Sequence, residues 1–275
     1  MAWQGAALAE PAGLHWRPFL LGLLMKPMTE EDQSETSAQP SPVFTTTHWS
    51  VVLEAGRIES PRAKAALEKL CQRYWYPLYA FIRRRGHDPH EAKDLTQSFF
   101  VHLLTHEALT GLDRSKGLFR SFLLTVLTHF LNDEWDRQQA AKRGGGRQIV
   151  SWDNLSAEEM YQHEPADSSS PESLFDRHWA FTLVRHALLQ LRQEYAAEGK
   201  GELFAQLEPC LTGAINPGFY AEAAERLKLN AGAVRVALHR LRRRLGQLLR
   251  SEVARTVRRP EDIEEEIRYL FGSSG

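Results

Sequence analysis

Arg235, His239, Arg240, Arg242, Arg243 and Arg244 crowd one short stretch, "AVRVALHRLRRRLGQLL", which runs from Ala233 to Leu249. A guanidinium is always charged and presents a planar fork of donors, so it suits phosphate oxygens and the O6/N7 edge of guanine. Such a cluster has the chemistry of polyanion binding. Arg250, Arg255, Arg258 and Arg259 extend it, and Glu261, Asp262, Glu264, Glu265 and Glu266 then follow. The formal net charge of −1 therefore conceals a basic module beside an acidic segment.

Residue sets for other chemistries are missing from the sequence. His48, His87, His90, His102, His106 and His129 make no metal-ligand pattern, and Cys71 and Cys210 stand far apart with no CxxC. No GxSxG, P-loop, HExxH or dinucleotide-binding fingerprint occurs, and "GGGR" at Gly144 is not followed by GK[ST]. The expectation is a protein that is not an enzyme and needs neither metal nor cofactor. Two isolated cysteines suit a reducing, cytoplasmic setting. "PFLLGLLM" (Pro18 to Met25) is too short to span a bilayer and lacks a preceding basic region, so neither export nor membrane insertion is expected.

The arginines must be carried by a helix. Val234, Leu238, Leu241, Leu245 and Leu248 recur in steps of four and three, which turns one face to a core. Arg235, His239 and Arg242 then lie on one flank, with Val236, Arg240 and Arg243 on another. Before it, "YAEAAERL" reads as a short helix and "KLNAG" as a tight connection with Asn230 as N-cap. This is the helix-turn-helix plan, whose second helix enters the major groove of DNA.

Upstream, Ser60 and Pro61 start a helix carrying Leu67, Leu70, Tyr74, Leu78 and Phe81, which Pro77 should kink or restart. "DPHE" supplies N-cap Asp88, Pro89 and Glu91 for a helix to about Leu104. Its apolar stripe is Ala92, Leu95, Phe99 and Leu103, while Asp94, Gln97, Val101 and Leu104 fall on a different side. A third helix, from about Leu118 to Arg137, has Phe119, Phe122, Leu123, Val126, Leu127, Phe130 and Leu131 at amphipathic spacing. No strand-like alternation of useful length appears. The expected fold is all-α: two small helical bundles joined by a flexible linker.

The expected organisation is a disordered extension without periodic pattern over 1–42, its Thr29 to Pro42 part rich in Glu, Gln, Ser, Thr and Pro, with Met25 and Met28 as alternative starts. A first bundle then covers 43–140, a linker 141–173, a second bundle 174–256 and an acidic tail 257–275. In the tail, Ile263, Ile267 and Leu270 read as the apolar face of a helix packed on the second bundle. The other reading is a screen for the arginine face or a docking site for a regulator.

Together the halves resemble bacterial RNA polymerase sigma factors of the extracytoplasmic-function (ECF) group, which has only regions 2 and 4. The resemblance covers roughly Thr46 to Leu249 and is carried by "YPLYAFIRRRGHDPHEAKDLTQSFFVHLL", "GLFRSFLLTVLTHFLNDEWDR" and "YAEAAERLKLNAGAVRVALHRLRRRL". "FTTTHWSVVL" and "VARTVRRPEDIEEEIRYL" look like a planctomycete-type subgroup. The resemblance implies that Asp94, Gln97, Phe100, Val101 and Leu104 dock on the clamp helices of the largest subunit of core RNA polymerase. It places Arg120, Asn132, Asp133 and Arg137 near the −10 element, and Arg235, His239, Arg240 and Arg243 on the −35 duplex. Phe122 is expected to pack rather than touch bases, and Trp135 is open between core and DNA. The polymerase flap, promoter DNA and an anti-sigma factor complete the implied partners. The competing reading is a helix-turn-helix repressor or activator independent of polymerase, which has no use for "DLTQSFF" and the helix after it.

Overall fold

The structure is a computed structural model that describes residues 20–22, 24, 61–104, 118–140, 155–162, 169–211, 215–216 and 218–272. The expectations for Thr29 to Pro42, for the two alternative starts and for 141–154 lie outside these residues. The fold is all-α, with no strand among the described residues. In chain order the helices are α1 (Pro61–Arg84), α2 (Pro89–Leu104), α3 (Phe119–Ala140), α4 (Leu155–Gln162) and α5 (Pro171–Ala197). α6 (Gly201–Leu207), α7 (Phe219–Leu227), α8 (Ala231–Ala254) and α9 (Ile263–Phe271) follow. Two compact units form, one of residues 46–182 with 255–258, the other of residues 1–45, 183–254 and 259–275.

In the first unit α1 runs unbroken through Pro77. A proline removes one backbone donor and crowds the preceding turn, but Tyr74, Trp75, Tyr76, Leu78, Tyr79, Ala80, Phe81 and Ile82 are all buried around it and keep the helix in one piece. α1 stops at Gly86, whose φ of 95° few other residues adopt without strain and whose N–H bonds the Arg83 carbonyl at 3.0 Å. Asp88 then caps α2 as its spacing requires: Oδ1 accepts the N–H groups of His90 and Glu91 at 2.9 and 3.0 Å. Ala92, Leu95, Phe99 and Leu103 of α2 are buried, as are Phe119, Phe122, Leu123, Val126, Leu127, Phe130 and Leu131 of α3.

Two boundaries differ from the sequence reading. The first half of α5 belongs to the first unit, which extends to Thr182 and not merely to 140. Trp179 is its central plug, stacked on Tyr74 at 4.1 Å and 9° and lying 6.0 Å from Phe119, while Phe175 meets Phe81 edge-on at 6.1 Å. The stretch 141–173 is not uniformly a linker either, because α4 lies within it and packs on α1. Arg83 grips Glu158 of α4 through Nε at 2.9 Å and Nη2 at 3.0 Å, Tyr79 donates its hydroxyl to the same carboxylate, and the Arg83 guanidinium sits 4.7 Å from the Tyr161 ring centroid. Eight residues are too few to hold a helix alone; tertiary anchoring supplies what composition could not reveal.

In the second unit α8 lies against α7, and α9 packs on α8. Leu191, Phe204, Leu207, Leu211 and the inward face of α8 form the core. The acidic tail is an amphipathic helix with Ile267 and Leu270 buried and Ile263 half-buried. The N-terminal extension is corrected at one place: residues 20–22 and 24 are helical, and Leu20 and Leu24 are buried. These two leucines of the apolar run are withdrawn from water within the protein.

Candidate nucleic-acid and partner interfaces

The α7–α8 corner is built by local backbone chemistry. Lys228 ends α7 in the left-handed region at φ 52°, and the Leu229 N–H reaches back to the Ala224 carbonyl at 2.9 Å, which closes the helix end. Asn230 opens α8, its Oδ1 accepting the Ala233 N–H at 2.7 Å. A Cβ on Gly232 would come within 3.2 Å of that same oxygen, so the small residue protects the cap.

Along α8 the arginines divide by role. Arg242 donates to the Cys210 carbonyl at 2.7 Å, and Arg244 forks onto Glu194 with two bonds of 2.8 Å, which hold the Glu194 carboxyl below the ordinary glutamate range. Those two brace the unit. Arg235, His239 and Arg240 are exposed and Arg243 is half-exposed, on the sides expected of them. The Arg235 guanidinium lies 5.0 Å from the Tyr220 ring centroid, which holds it against the start of α7. The helical wheel could not reveal that support, since Tyr220 belongs to the preceding helix.

On α3 the sequence expectation needs one correction. Arg120 does not face outward: it is buried and its Nη1 pairs with Asp176 Oδ1 at 2.7 Å. It lies beside Phe119 and Phe122, both buried, where an unpaired charge would be costly. Asn132, Asp133 and Arg137 are exposed, and Arg137 pairs with Glu134 at 3.1 Å. Phe122 is buried as expected, whereas Trp135 is 60% exposed, which excludes its core reading. The sequence reading missed the polar stripe that joins Trp135 and Asn132 along one side of α3, namely Ser121, Thr125, Thr128 and His129. Thr125 and Thr128 turn their hydroxyl protons back to the Ser121 and Leu124 carbonyls, each at 2.8 Å. Their oxygens keep acceptor capacity for an outside donor.

On α2 the expected docking residues split. Asp94 is exposed and Val101 is 53% exposed, one behind the other at seven-residue spacing. Phe100 is instead buried against Trp75 at 5.7 Å, and Gln97 lies at the edge of the core with its Nε2 lacking a hydrogen-bond partner in the protein. The Leu104 side chain lies outside the described residues. Phe100 and Gln97 are thus the seam behind the exposed pair rather than the contact surface itself.

The described residues hold no cluster of His, Cys, Asp and Glu fit for a metal, and none of their helices is long and apolar enough to cross a membrane. The Cys71 thiol is buried and pushed up to about 12, first by burial and then by Glu68, which disfavours its thiolate.

Residues 70–141 match the family of sigma-70 region 2. The match covers α2, all of α3 and the C-terminal part of α1, the elements that carry both surfaces of the first unit. It likens this stretch to RNA polymerase sigma factors, a family that acts in promoter recognition and transcription initiation and whose region 2 implies binding to core RNA polymerase and promoter DNA. No curated protein and no solved structure matches the chain.

Proposed function

We propose that the protein is a sigma factor of the ECF type, in the planctomycete-type subgroup, that binds core RNA polymerase in the cytoplasm and directs it to promoters through two separate DNA surfaces. One observation carries this reading: the region 2 match lies on a unit with an exposed α2 face and an exposed polar α3 stripe, and a second unit bears an arginine-faced helix after a tight turn.

In this reading the clamp helices of the polymerase seat on Asp94 and Val101, with Gln97 buried in the seam behind them. Phe100 stiffens the face from behind. The α3 stripe around Asn132, with Asp133 and Arg137 on its flank, takes the −10 element, and Trp135 gives an unstacked base an aromatic plane. α8 lies in the major groove of the −35 duplex. Arg235, His239, Arg240 and Arg243 contact bases or phosphates there, the phosphate contacts supplying affinity and the base contacts sequence choice.

The test is co-purification with bacterial core RNA polymerase, comparing the wild type with an Asp94→Ala, Val101→Asp double variant whose fold is checked by circular dichroism. Stoichiometric binding that the variant loses supports the reading. Tight binding to palindromic duplex DNA with no polymerase association in a matched host would favour a polymerase-independent helix-turn-helix regulator.

A further inference from the structure

Val236 is 51% exposed, whereas every other valine and leucine of α8 is buried. It follows Arg235 directly and stands one turn before His239 and Arg240 and two turns before Arg243, so an apolar side chain sits inside the outward cationic stripe. A β-branched residue at an exposed helix position lowers helix propensity relative to alanine. With half of its surface in water, Val236 gains little from packing. The stability of α8 gives no reason for a valine at this place.

Helical side chains lean toward the N-terminus of their own helix, over the residue four positions earlier. For Val236 that residue is Gly232, which is exposed and has no side chain. A Cβ there would crowd Asn230 Oδ1 at 3.2 Å, so the glycine that protects the cap also keeps a gap beside the valine. Recognition helices meet base edges with their N-terminal residues, which is where Val236 stands. Among the donors and acceptors of the major groove there is one apolar group, the C5 methyl of thymine. The surrounding guanidinium groups suit phosphates and guanine edges, to which a valine offers nothing.

We propose that Val236 is a specificity-determining residue that reads one thymine of the −35 duplex through its C5 methyl group, with Gly232 leaving the space in which that methyl seats. This rests on the promoter-binding reading of α8. The arginines supply affinity and register, and Val236 adds sequence choice at one base pair, because contact with the methyl withdraws two apolar groups from water.

The experiment uses holoenzyme assembled from the full chain and a matched bacterial core RNA polymerase. Wild type selects promoters from a library randomised across the −35 element. Each thymine of the selected element, on either strand, is then replaced in turn by deoxyuridine, which removes only the methyl. One such replacement should weaken binding about fourfold, the loss expected when a single methyl contact disappears. This series needs no variant and so stands whatever the substitutions do to folding. In Val236→Ala, its fold checked by circular dichroism, the same replacement should change binding by less than about 1.5-fold, and Val236→Ile should restore the sensitivity. The proposal is overturned if no thymine responds to deoxyuridine, or if Val236→Ala responds as wild type does, which would assign the side chain to a protein contact instead. An Arg240→Ala, Arg243→Ala variant keeps the two levels apart. If it binds the selected promoter more weakly while Val236→Ala responds as wild type does, only the thymine contact falls; if it binds unchanged, the promoter reading of α8 falls with it.

Discussion

Arg120 of α3 and Asp176 of α5 form an ion pair of 2.7 Å in which the two side chains are 9% and 14% exposed. The pair locks the helix that carries the polar stripe to the helix that carries Trp179, so Arg120 acts on the α3 surface only by holding its helix in place. Because both charges are largely removed from water, losing one partner strands the other.

Arg120→Ala is therefore expected to destabilise the protein by about 3 kcal/mol. Replacing both residues, as Arg120→Met with Asp176→Leu, should recover most of the loss. Urea unfolding of wild type and both variants checks this; equal stability of Arg120→Ala and wild type would show that the pair contributes nothing.

Trp135 is too exposed to support the core, so Trp135→Ala should change stability by less than about 0.5 kcal/mol. In the promoter reading it should weaken binding of a single-stranded −10 oligonucleotide by about 1–3 kcal/mol. The measurement is a fluorescence titration of polymerase complexes with variant and wild type.

Among the α8 arginines, salt dependence separates the two roles. Alanine at Arg240 or Arg243 should reduce the slope of log K against log salt for duplex binding by about one for each phosphate that the variant no longer neutralises. Arg244→Ala should instead lower stability, because it releases Glu194. A slope left unchanged in both surface variants would remove them from the DNA interface.

The α4 anchor gives a pH dependence with a defined sign. Burial raises the Glu158 carboxyl, but hydrogen bonds from Arg83, Tyr79 and Gln162 outweigh it and hold the group below its ordinary value of 4.5. A carboxyl depressed in the folded state contributes stability that is fully present above the unfolded value and is lost as pH falls through the folded one. The stability gap between wild type and Glu158→Gln should therefore be constant above about pH 5 and shrink as pH drops below the unfolded value. Denaturation midpoints from about pH 6 down to about pH 3 test it.

Lys228 holds a left-handed conformation at φ 52° that glycine adopts without a Cβ penalty. Lys228→Gly should stabilise the second unit by about 0.5–1 kcal/mol, read as a rise in its melting temperature.

Much of this was legible in the sequence because it depends on neighbours. Asp88 and Asn230 cap their helices since the donors they satisfy lie two or three residues ahead, and the leucine ladder of α8 faces inward because a 3.6-residue period leaves it no other arrangement. Tertiary structure decided what depends on distant partners. Whether Arg120 meets solvent or Asp176 turns on a partner 56 residues away in the chain, and whether eight residues in a supposed linker form a helix turns on one 75 residues away. Whether Phe100 or Val101 is outward likewise depends on Trp75, which lies on another helix. The same holds for Leu20 and Leu24, since hydrophobicity says that a side chain will leave water but only the packed fold supplies the surface that receives it.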